Sequence, residues 1–340
     1  MKVKSLLSMV LAISFVCLGC AEEPSEKTTV TPALNKPLSY IPKQTNIIFH
    51  ANLRDLKDTP LGQEFRNKLK SEMEDDEDYE EFVRETGLDP EKDIDELWVF
   101  ISADARNHDY DKGGVLIRGK FDQERIIDYL KKEKPDEFSQ DKYRGYRIYL
   151  INHRDKDVFT FLNSDLVVLG EFDWVKEIID QAEDQKASVL NNSRMRALMR
   201  KVPAGSQIWG ILDIGNMAER WAEEIRRRSS GFKGTKSLEN MESILVAAKV
   251  HEKADVLIDG EFSSAEEASL VTDMLKGFKA MAKLAVADDK EAIDMIDGIK
   301  IKQQGNSLRI TTRFGKNFIE KIEEKKAQFQ GLNLGGLKYY

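Results

Sequence analysis

Apolar positions along the chain follow three regimes. From Leu6 to Leu18 they form a short, nearly continuous run behind two lysines, Lys2 and Lys4. From Ala21 to Leu38, in "AEEPSEKTTVTPALNKPL", they have no period, and Pro, Thr and Glu dominate. From Tyr40 onward they recur either as short strand-like runs or at helical spacing. Thirteen residues are too few for the roughly 20 that a bilayer core demands. A basic start, a short apolar stretch and small residues before a break have the layout of a secretory signal. The aperiodic segment reads as a flexible tether.

The third regime repeats itself. "VLIRGKF" (Val115 to Phe121) returns as "VLIDGEF" (Val256 to Phe262), 141 residues on. "YIPKQTNIIFHANL" at Tyr40 has a counterpart in "KVPAGSQIWGILDI" at Lys201, each a proline-led turn before a buried strand. "ELWVFISAD" (Glu96 to Asp104) answers "ESILVAAKV" (Glu242 to Val250). Helices are predicted over 122–132 and 264–285. In the second, Leu270, Met274, Leu275, Phe278, Met281 and Leu284 keep helical spacing. Hairpins follow in each half, and Gly305–Asn306 is a good two-residue turn. Closing helices are predicted over 172–181 and 315–329. The first half carries a longer insert, Lys57 to Asp95, between its first two strands.

Hairpins make neighbouring strands antiparallel, because parallel neighbours need crossovers. The expected class is therefore α+β: two related units of antiparallel sheet, an internal duplication, with helices packed on one face. The expected segments are a signal over 1–19, a tether over 20–39, repeats over 40–190 and 191–330, and a tail over 331–340.

Composition adds the compartment. Cys17 and Cys20 are the only cysteines, so a chain cut between Gly19 and Cys20 has one thiol and no internal disulfide. "CLGC" resembles the lipobox of bacterial lipoproteins, in which Cys20 would be the lipidated residue; Cys17 stands where that motif usually has Leu. Acylation gives a lone thiol in an oxidising space a purpose. Each buried methylene contributes about 0.8 kcal/mol, so several chains hold firmly. Under the sorting rule of Gram-negative lipoproteins, Ala21 implies the outer membrane, facing the periplasm. The body, with "TGLDPEKDIDELWV" at Thr86, resembles duplicated bacterial periplasmic proteins of unknown function, which bring no active site with them.

The net charge of −8 argues against nucleic acid, which selects a basic face. Two basic clusters stand out against it: Arg194, Arg196 and Arg200, and Arg226, Arg227 and Arg228. Together they are a candidate patch for anionic lipid or a wall polymer. Arg226, Arg227 and Arg228 also suit a helix C-terminus followed by a Gly/Ser loop. The acid run Glu72–Phe82 lacks the inner glycine of a calcium loop and reads as a solvated helix face. In Asp89–Glu96, Pro90 starts a helical turn. "GFKGTKS" lacks the spacing of a phosphate loop, and "SGFK" lacks its penicillin-binding companions. His50, His108, His153 and His251 have no ligand spacing. Trp98, Trp174, Trp209 and Trp221 are expected in the core. No catalytic, metal or cofactor site is assigned. The expectation is a non-enzymatic lipoprotein that binds another envelope component, with an envelope hydrolase of scattered active site as the alternative.

Overall fold

The computed structural model describes residues 36–315, apart from 74–76, 104–111, 134, 137, 153–156, 185 and 229–232. Cys20, the tether, His108, His153 and the closing helix expected over 315–329 lie wholly or almost wholly outside the described residues. The chain divides into two compact units that adjoin in sequence at Met199 and Arg200.

The first unit opens with β1 (Ile47–Asn52) and a helical insert: α1 (Leu53–Lys57), α2 (Pro60–Met73), α3 (Glu77–Thr86) and α4 (Pro90–Asp93). Next come β2 (Ile94–Ser102), β3 (Lys112–Gly119) and α5 (Gln123–Glu133). Strands β4 (Ser139–Tyr143), β5 (Tyr146–Asn152), β6 (Asp157–Phe161) and β7 (Leu166–Glu171) follow, then α6 (Phe172–Asp184) and α7 (Ser193–Met199). The strands lie in the order β1-β2-β3-β7-β6-β5-β4, every neighbour antiparallel. The β4–β5 turn is Arg144–Gly145, both at positive φ (50° and 93°), the backbone a type I′ hairpin requires.

The second unit contains β8 (Ile208–Asp213), α8 (Ala218–Arg228), β9 (Met241–Val250), β10 (Ala254–Phe262), α9 (Ala265–Ala285), α10 (Lys290–Gly298), β11 (Lys300–Gln304) and β12 (Ser307–Phe314). Its order is β8-β9-β10-β12-β11, again antiparallel throughout. The class is α+β. In both units the first strand pairs with the second, the second with the third, and the third with the last. Val115 lies opposite Val99 and Leu169; Val256 lies opposite Ala248 and Thr312. Both copies of the repeated phrase therefore occupy a third strand. The first unit adds the β4–β5 hairpin. Its outermost strand β4 and the second unit's outermost strand β11 are each five residues long and largely exposed.

Helices do not keep to one face in the first unit, which corrects the expectation. Residues directly opposite in an antiparallel ladder share a face. Tyr149, Phe159 and Val167 share one, and Ile127 of α5 packs there with Phe121, Leu130 and Phe138. Gly114 and Gly170, paired across β3 and β7, share the other. There Phe100 and Trp174 of α6 lie with rings 6.2 Å apart, and a Cβ on Gly170 would meet Trp174 at 3.6 Å. The sheet is thus apolar on both sides, and each side receives a helix. Trp98, Phe100 and Trp174 are fully buried, each contributing about 1.5–3 kcal/mol or more through burial.

Helix α9 starts where Ser264 caps it, accepting from the Glu267 amide at 3.2 Å. Glu266 and Glu267 in its first turn and Lys283 in its last suit the helix dipole. Ala268 and Val271 pack on Phe262 and Leu308. Among the described residues no helix is long and apolar enough to cross a membrane.

Candidate functional site

Several displaced protonation equilibria gather where β1 and β3 end and β2 begins. Register decides it: β1 places His50 opposite Trp98, and β3 places Arg118 opposite Glu96. The His50 and Trp98 rings are 4.7 Å apart, and the Arg118 guanidinium stands 5.4 Å from the Trp98 centroid. Arg118 also donates to Glu96 at 3.0 Å, with both side chains largely shielded. Burial, and secondarily the Arg118 charge, push His50 down to about 3, so its imidazole is neutral at physiological pH. Burial raises Glu96 above the ordinary carboxylate range, against the pull of Arg118. A neutral imidazole, an indole tilted against it and a shielded ion pair thus stand together on one face of these strands.

The rim of this cluster is held by α1. Asn52 caps that helix, accepting from the Asp55 amide at 2.9 Å. Lys57 donates to the carbonyls of Ile94 (2.7 Å) and Lys92 (3.0 Å), and burial lowers its pKa. Arg54 grips Asp95, Nε to Oδ1 at 2.9 Å, and holds that carboxyl below its usual range. Next to it, Asp93, Lys120, Asp122, Gln123 and Glu124 line an open cleft of about 520 Å³. Arg125 stitches its wall: Nε donates to Glu85 O at 2.9 Å and Nη2 to Arg84 O at 2.6 Å, ending α3. One lysine among carboxylates in an open, polar cleft suits contact with a polar or cationic group.

The six arginines taken from the sequence fall into two sets. Arg194 and Arg196 stand on α7 of the first unit, where Met195, Leu198 and Met199 face inward and Arg196 points to solvent. Arg200 is exposed and opens the second unit. Arg226 and Arg227 of α8 are committed to carboxylates, to Glu239 at 2.9 Å and Glu224 at 2.6 Å. The Arg228 side chain lies outside the described ones. Arg226 and Arg227 complement the last turn of α8, the role open to them from sequence.

Acid-rich stretches serve as caps. Asp89 accepts from the Glu91 amide at 3.0 Å, and Asp93 accepts from the Asp89 amide at 2.8 Å, with Pro90 opening α4 as expected. Among the described residues no group of three or more His, Cys, Asp or Glu is arranged to hold a metal. Trp98, Trp174 and Trp209 are core residues, and the indole N–H of Trp221 donates to Leu238 O at 2.8 Å. Sequence reasoning missed the Arg118–Glu96 pair. Its signal was present: Arg118 is one of only two positions at which the repeated phrases differ.

No family model matches the chain, and no curated protein matches it. Among solved structures the chain is similar to one described as "Structure of crystal form I of TP0453", at 9% identity and a TM-score of 0.43. That match covers 88% of this chain and 99% of the other.

Proposed function

We propose that the protein is a non-enzymatic envelope lipoprotein, lipidated at Cys20 and tethered to the outer membrane on its periplasmic side. Its body is a duplicated α+β unit that binds another envelope component: a protein, a lipid or a wall polymer. The observation that carries this reading is Leu18-Gly19-Cys20 closing a thirteen-residue apolar run behind Lys2 and Lys4. The shared order of strand pairing in the two units supports the duplication. So does the fate of the two letters that differ. Arg118 became Asp259 and Lys120 became Glu261 between copies, and each of the first pair has an opposite charge on an adjacent strand, Glu96 or Arg309.

The test is metabolic labelling of the producing cells with an alkynyl fatty acid, together with the intact mass of the mature chain. The expected result is a labelled protein whose amino terminus is Cys20, with label and membrane association both lost in Cys20→Ser. A mature terminus anywhere else, or label that survives Cys20→Ser, defeats the proposal.

A further inference from the structure

Three side chains at the tip of the β4–β5 hairpin reach the last turns of α6. Tyr143 Oη donates to Asp180 Oδ1 at 3.0 Å, and Tyr146 Oη donates to Glu183 Oε1 at 2.7 Å. Arg144 donates through Nη1 to Asp180 Oδ1 (2.8 Å) and Asp184 Oδ2 (2.7 Å), and through Nη2 to Asp184 Oδ1 (2.7 Å). Asp180 and Asp184 stand one turn apart on α6, so one planar fork engages both. Arg144 does this from φ +50°, a backbone seldom taken by residues other than Gly, Asn and Asp. The edge hairpin of the second unit turns on Gly305 instead, at φ +60°. An unfavourable backbone persists where its surroundings hold it, and here the two carboxylates do so.

The strand behind this tip buries little. Ser139, Gln140, Asp141 and Lys142 of β4 are exposed, and Tyr143 is half-buried. β4 pairs with β5 and is the outermost strand of its unit. Lifting it uncovers almost no apolar surface, and elements of that kind open most readily. At the other end Phe138, just ahead of β4, stacks on Tyr149 with rings 5.9 Å apart. The tip contacts are polar or ionic, and Arg144 and Asp184 each keep 38% of the side chain in water. Salt weakens ion pairs so exposed. We propose that β4 is a flap, hinged at Phe138 and latched at Arg144, which lifts from β5 apart from the rest of the first unit and does so more often as ionic strength rises. Each opening bares the outer edge of β5, while Ile148 and Tyr149 of that strand stay in the core. The device is independent of lipidation at Cys20.

The test is amide hydrogen exchange, read by mass spectrometry on the full chain in a non-ionic detergent. It is run in about 0.01 M and about 1 M sodium chloride, between which the Debye length falls from about 30 Å to about 3 Å. In the natural chain the peptide covering Ser139–Tyr143 is expected to exchange at least about three-fold faster at high salt, with β6 and β7 unchanged. Arg144→Gly suits the turn but lacks the fork, so the same peptide is expected to exchange fast at both salt concentrations, with the melting temperature nearly unchanged. Asp180→Asn combined with Asp184→Asn removes the charged acceptors, leaves the turn untouched, and is expected to behave alike. Salt-independent exchange of β4 in the natural chain overturns the inference, as does slow exchange in Arg144→Gly. So does exchange of β4 in step with β6 and β7, which would make its opening part of general unfolding.

Discussion

Arg309 reaches across from β12 and closes on Asp259 of β10, Nε at 3.0 Å and Nη2 at 2.9 Å from the same carboxylate oxygen. Asp259 is 4% exposed, whereas Arg309 keeps half its surface in water. The pair therefore has a protected half and a wet half, and losing the wet half strands the other. Arg309→Met is expected to cost about 2 kcal/mol, the worth of a hydrogen bond to a charged group. Replacing both partners by Leu recovers most of it, since no charge is left buried. Urea unfolding of the single and double variants checks this; equal losses would remove the argument.

Charge reversal gives a sharper test in the first unit. Arg118→Asp sets two carboxylates against each other on β3 and β2, both with shielded side chains. A loss of about 3–5 kcal/mol is expected. Glu96→Arg in the same chain restores part of it, which denaturant titration will show.

His50 makes stability depend on pH. Its folded pKa of about 3 lies below the unfolded value near 6.5, so between these limits the unfolded chain binds the extra proton. Stability therefore falls as pH drops from 6.5 toward 3, by up to about 1.4 kcal/mol per unit. Glu96 acts in the opposite sense: its raised pKa makes the folded chain the better proton binder above the unfolded value of 4.5, up to its folded pKa. The melting temperature of His50→Gln should fall less steeply with acid over pH 6.5–5 than that of the natural chain. Parallel curves would refute the assignment.

Two glycines should respond with opposite signs. A Cβ at Gly114 sits 2.8 Å from Phe100 Cζ and 2.9 Å from Leu169 O, and a backbone oxygen inside a sheet cannot step aside. Gly114→Ala is expected to cost about 1–3 kcal/mol, as overpacking does. Gly277→Ala, whose Cβ meets nothing within 4 Å, should raise stability by about 1 kcal/mol, and urea unfolding of both variants checks the two signs.

Arg125 offers a local readout. Its guanidinium holds the last carbonyls of α3 from the first turn of α5. Arg125→Gln should leave the global melt nearly unchanged while the α3 amides exchange faster, by about 1 kcal/mol of local stability.

Local chemistry was the legible part of the sequence. Gly305, at φ +60°, turns β11 into β12 as the "GN" pair implies, and both "VLI" phrases became third strands. Lys57–Asp95 emerged as the insert holding α2, α3 and α4. Properties that depend on distant pairing did not show. Whether α5 and α6 share a face follows from which side each connection crosses, and no residue in either helix encodes that. The match of Glu96 with Glu242 also slipped: Glu96 lies opposite Arg118, but the residue opposite Asp259 is Leu245. The partners of Arg226 and Arg227 were not legible, because counting charges along a chain ignores what they meet in space. Glu239 is eleven or more residues from the Arg226–Arg228 cluster in sequence, yet 2.9 Å from Arg226 in space. The β4–β5 turn was hidden because Arg144 is an unusual residue at positive φ.

The outermost strands β4 and β11 are short, and carry Asp141 and Lys142 on one and Lys300 and Lys302 on the other. Charges on a stubby margin deter a stranger's backbone from extending the ladder. Many copies can then crowd together without zipping into fibres, and any company this molecule keeps must be chosen by side chains.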